Sequence, residues 1–137
     1  MITLKYADIN NADLVAAFKT IQKQNLPLKV SYRINKIADK IDQEIRSFTV
    51  TYSEFLRDHC AKNEDGSPVF KLNEEGKMIG YEMNGAEETK TKEKALFQKE
   101  FSIEVNQIDV SDIDGINIAP ETLHHLSPFI SGLETLA

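Results

Sequence analysis

Residues 28–62, LKVSYRINKIADKIDQEIRSFTVTYSEFLRDHCAK, decide how this chain folds. Val30, Ile34, Ile37, Ile41, Ile45, Phe48, Tyr52 and Phe55 recur at steps of three and four. Ile34, Ile41, Phe48 and Phe55 form a strict seven-residue series. That spacing lays one apolar stripe along a helix. No proline or glycine interrupts the stretch, so the pattern predicts one helix over 28–62, roughly 50 Å long. The stripe is too narrow to be buried all round and too long for a short helix to cover. It calls for a long antiparallel partner or a second subunit.

Upstream, Ile2, Leu4 and Tyr6 alternate with Thr3, Lys5 and Ala7, which predicts a short strand. Asn11 stands as an N-cap before Leu14, Val15, Phe18 and Ile21 at helical spacing. Asn25-Leu26-Pro27 ends that helix and opens the long one. Downstream, the turn formers of 63–68 precede Val69–Leu72 and Met78–Tyr81, two runs joined through Gly76 as a β-hairpin. Residues 86 to about 104 read as the antiparallel partner helix, with a charged first half and Ala95, Leu96, Phe97, Phe101 and Ile103 toward its end. One or two short strands over 105–118 turn at Asp114-Gly115. A short helix beginning at Pro120 closes the chain, with Pro128 a candidate kink. The expected fold is α+β and predominantly helical: a long antiparallel helical hairpin, a small β-hairpin or sheet, and a short C-terminal helix in one domain over 1–137.

Hydrophobic residues at 41% against 28% charged suit a folded domain rather than a disordered chain. No apolar run approaches the roughly 20 residues that span a bilayer. The N-terminus has no basic segment leading into an apolar one, and the single Cys60 has no intramolecular disulfide partner. These features point to the cytoplasm. The net charge of −6 argues against general nucleic-acid binding. After Lys99 no Lys or Arg occurs, while seven acids follow: Glu100, Glu104, Asp109, Asp112, Asp114, Glu121 and Glu134. Such a tail is usually a solvated face. Its functional reading is a surface for a basic partner, or a mimic of DNA.

Several constellations bear on chemistry. Asp112-Ile113-Asp114-Gly115 with Glu121 has part of the spacing of an EF-hand loop, but Val110 stands where the first carboxylate belongs, so a turn is the better reading. His59-Cys60 and His124-His125 supply four donor side chains in two adjacent pairs, a poor match to zinc-ligand spacing. Cys60 lacks the surroundings of a nucleophile. The basic run Lys29, Arg33, Lys36, Lys40 and Arg46 is interleaved with Asp39, Asp42 and Glu44, which predicts pairing on a solvated helix face. No phosphate-binding glycine loop is present. No cofactor, metal or catalytic residue is expected.

The stretch Leu26-Pro27-Leu28-Lys29-Val30-Ser31-Tyr32-Arg33-Ile34, followed by Ile37-Ala38-Asp39-Lys40-Ile41, leads into the long helix. The close is Ile116-Asn117-Ile118-Ala119-Pro120-Glu121-Thr122-Leu123 with Pro128-Phe129-Ile130. This layout resembles a group of small tailed-bacteriophage proteins of unknown function. It departs from them in a longer 63–85 segment and in Ser31, where alanine or threonine is more usual. The resemblance carries no active site. It implies a gene near virion structural genes, location in the host cytoplasm or on the virion, and a role in particle assembly or as a minor structural protein. Protein partners, phage structural proteins or a second copy, are expected, with neither nucleic acid nor membrane. The candidate contact residues are Ile34, Ile41, Phe48 and Phe55 on the stripe, with Asp109, Asp112 and Asp114 on the tail. The alternative is a small acidic inhibitor of a host enzyme or defence complex that uses those aspartates as a DNA decoy.

Overall fold

A computed structural model describes residues 1–136. Along the chain run β1 (Ile2–Lys5), α1 (Tyr6–Ile9), α2 (Ala12–Gln22), α3 (Leu28–His59), β2 (Phe70–Leu72), β3 (Met78–Tyr81), α4 (Glu87–Gln98), β4 (Glu100–Ile103), β5 (Ile108–Asp109), α5 (Pro120–Leu126) and β6 (Ile130–Ser131). The fold is α+β and mostly helical, with α3 its longest element. No helix among the described residues is long and apolar enough to cross a membrane. Two compact units emerge, one of residues 1–45 with 99–137 and one of 46–98, and α3 runs through both.

In the first unit the expected N-terminal strand forms, and it pairs antiparallel with β4. Residues 100–103 therefore leave the helix expected to run to about 104, which ends at Gln98. The physical reason is a period-two match. Ile2 and Leu4 face Ile103 and Phe101 across the ladder, while Thr3 and Ser102 face each other on the opposite side, their hydroxyls 2.9 Å apart. The inner face of this pair joins the core with Val30, Ile34, Ile37 and Ile41 of α3, Leu14, Phe18 and Ile21 of α2, and Leu126, Phe129 and Ile130 near the C-terminus. Phe18 meets Phe129 edge-on, with ring centroids 5.1 Å apart.

The tail also departs from expectation. β5 pairs with β6 in parallel, and Val110–Ile113 is a 3-10 turn rather than a strand. Gly115, at φ +86°, makes the expected turn. Pro128 lies beyond the end of α5, in a 3-10 turn over Ser127–Phe129, where it costs no α-helical hydrogen bond.

In the second unit the later part of α3 packs on α4. Phe97 meets Phe48 at 5.0 Å and Tyr52 at 5.1 Å between ring centroids, and Tyr52 bonds to Glu93. Since 93 and 97 pair with 52 and then 48, the two segments run antiparallel. The helix stops at His59, three residues earlier than expected, because Cys60 and Lys62 bridge to Met83 and Pro68 beside the hairpin. The β2–β3 hairpin forms where expected. Its loop is closed by Asn73, whose side-chain oxygen accepts from the amides of Glu75 and Lys77.

Candidate partner-binding groove

α3 begins just after Pro27, whose carbonyl accepts the amides of Val30 and Ser31. The buried phase of this helix is set by Val30, Ile34 and Ile37. Leu28 and Tyr32 lie one turn apart but out of that phase, so they face away from the core. They are 87% and 65% exposed, unusually high for a leucine and a tyrosine on a helix that has its own core. Beside them open Lys29, Arg33 and Lys36, with Lys36 Nζ 5.9 Å from the Tyr32 ring centroid. That geometry lets the ammonium rest over the ring face.

Together with Met1 and Val105, these residues line an open groove of about 790 Å³. Its floor is largely apolar and its flank carries three cations against one acid, Glu104. Such a surface is complementary to apolar side chains accompanied by negative charge. Lys29 and Arg33 also face Asp112, whose Oδ2 lies 3.9 Å from each. The expected pairing of this basic run within its own helix is thus replaced, at Lys29 and Arg33, by contact with the tail.

The residues expected to meet a partner fall differently. Ile34 and Ile41 are buried in the first unit's core, and Phe48 is buried in the second unit beneath Phe97. Phe55 is half-buried between the rings of Tyr52 and His59. The stripe is therefore interior along most of its length, which corrects its assignment as a contact surface. Periodicity identifies an apolar face but not whether the chain covers that face itself.

The tail aspartates are spread over separate tasks. Asp109 caps the 3-10 turn by accepting from the amide and hydroxyl of Ser111. These bonds hold its carboxyl below the ordinary range, with Lys29 and Arg33 adding to the effect. Asp112 lies between Lys29 and Arg33, and Asp114 is exposed. A DNA decoy works through a row of free carboxylates, and two of these three are engaged within the chain.

Comparison of the chain with protein-family models, curated proteins and solved structures finds no match.

The remaining motifs resolve individually. Glu121 approaches Asp13 and His125, while Asp112 is held by cations, so an EF-hand loop is not assembled. His59 Nδ1 lies 2.9 Å from the Phe55 carbonyl, and the buried Cys60 thiol donates to the Arg57 carbonyl at 3.1 Å. Those bonds engage His59 and Cys60, while His125 lies beside Asp13 and Glu121. The exposure of Leu28 and Tyr32 was not among the expectations from the sequence. Their signal was available: two large apolar side chains one turn apart on the otherwise charged face of α3. Phe70, Leu72, Met78 and Ile79 of the hairpin are exposed as well.

Proposed function

We propose that this chain is a non-catalytic protein-binding module that takes an acidic, amphipathic segment of a partner protein into the groove at the head of α3. In the phage setting implied by the sequence resemblance, the partner is a virion structural protein, and the chain serves particle assembly or stays as a minor component.

The observation that carries this reading is the outward pair Leu28 and Tyr32 beside Lys29, Arg33 and Lys36. Exposed aromatic and aliphatic side chains with adjacent cations supply the anchors that protein interfaces favour. Charge selects the partner. Although the chain as a whole carries −6, the three cations at the groove attract an acidic segment and repel a basic one. A helical segment carrying apolar residues one turn apart and acids on its flank matches this surface.

The test is titration of the purified chain with the capsid, portal and tail proteins of the same phage. Leu28→Ser with Tyr32→Ser should weaken binding at least tenfold while leaving the melting curve unchanged. Binding should also soften as salt rises, through Lys29 and Lys36. Equal binding by the double variant would remove the groove from the interaction.

A further inference from the structure

A second constellation lies elsewhere in the first unit, between α2 and α5. Asn11 caps α2 by accepting the amide of Asp13, which places the Asp13 side chain in the first helical turn. Pro120 opens α5, and Glu121 and His125 follow one turn apart. An i,i+4 spacing sets both side chains on one face of the helix. Because α2 and α5 pack together, that face meets the start of α2. One carboxylate oxygen of Asp13, one of Glu121 and one ring nitrogen of His125 lie within 4.8 Å of one another.

Two facts separate this cluster from an ordinary acidic surface. One of its three donors is an imidazole, held beside two carboxylates that come from different helices. In addition, neither carboxylate forms an ion pair with a lysine or arginine among the described residues. Two carboxylates thus converge with no lysine or arginine to offset them, and a divalent cation bound jointly with the imidazole meets that need. Bonded at about 2.0–2.2 Å to each donor, such an ion holds the three atoms roughly 3 to 3.5 Å apart. Side chains at a surface close the remaining distance by small rotamer changes.

We propose that Asp13, Glu121 and His125 form a binding site for a first-row divalent cation of the zinc class, which fastens the start of α2 to α5. The imidazole sets the preference: nitrogen donors suit zinc and its neighbours, whereas magnesium and calcium take oxygen. Three protein ligands leave a coordination position for water or for a donor from another molecule.

The full chain, stripped with chelator, is melted with and without Zn²⁺, and separately with Mg²⁺. Zn²⁺ at about tenfold over its Kd should raise the Tm by on the order of 5 °C, and Mg²⁺ at the same concentration should not. His125→Asn and Asp13→Asn should each abolish the rise. His124→Asn, on the neighbouring position of the same helix, and His59→Asn should retain it. No rise in the parent chain, or a rise that survives His125→Asn, overturns the site. Mn²⁺-induced broadening of backbone amide resonances gives a reading that needs no variant. Broadening centred on Asp13, Glu121 and His125 supports the site, and broadening centred on His59 and Cys60 overturns it.

Discussion

Asp112 Oδ2 lies 3.9 Å from Arg33 Nη1, and both side chains are about a third exposed or less, at 31% and 28%. The contact ties the acidic tail to the basic flank of the groove. A pair this long at a wet surface contributes about 0–1 kcal/mol. Asp112→Asn should therefore shift the midpoint of urea unfolding only slightly. It should also free Lys29 and Arg33, so that an acidic partner peptide binds more tightly at low salt. Isothermal titration at two salt concentrations reads both effects.

Gly132 is tested by comparison with Gly115. Both stand at positive φ, +85° and +86°, where a Cβ is strained. At Gly115 a Cβ meets nothing within 4 Å, whereas at Gly132 it would come to 3.0 Å from Val110 Cγ1. Gly115→Ala should cost about 1 kcal/mol. Gly132→Ala should cost measurably more by chemical denaturation, because the side chain of Val110 has to give way.

Phe129 is 1% exposed and its ring packs edge-on against Phe18. Phe129→Ala should destabilise the chain by about 3–5 kcal/mol, the range for emptying a buried aromatic site. Phe129→Leu should cost less. Denaturant unfolding followed by far-UV circular dichroism gives the difference.

Tyr6 and Tyr52 make the fold sensitive to alkali. Burial, and then the nearby Glu44, raise the phenol of Tyr6 above its ordinary value of 10.0; burial and Glu93 do the same for Tyr52. A raised folded-state pKa means that the protonated form is favoured by folding. That stability is fully present below pH about 10, the unfolded value, and is lost as pH rises through the folded one. Tyr6→Phe with Tyr52→Phe should flatten the fall in Tm between about pH 9.5 and 11. An unchanged slope would assign the alkaline loss to other groups.

The long helix was legible because Val30, Ile34, Ile37, Ile41 and Phe48 repeat with helical period, and all five are buried. What covers them was not. Phe101 and Ile103 read equally well as a helix end or as one face of a strand. The choice was made by Ile2 and Leu4, at the other end of the sequence: the Thr3–Ser102 contact joins residues 99 positions apart. The parallel β5–β6 pair escaped for the same reason, since a two-residue strand has no pattern of its own. At the groove, Leu28 and Tyr32 were visible as apolar residues off the seam, but the pockets and charges around them required the β4–β5 connection to be placed. The Asp13, Glu121 and His125 cluster was half visible, as an i,i+4 pair on α5. Its third member came only from the packing of α2.

Under the proposed phage role, the groove is tested most directly by placing a photo-crosslinking amino acid at position 32 and irradiating cells in which a phage encoding the chain replicates. Crosslinks should map by mass spectrometry to an acidic segment of a virion structural protein, and adding Leu28→Ser should remove them. Absence of any crosslink in assembling cells, or the same crosslinks in the presence of Leu28→Ser, would contradict a partner seated at the head of α3.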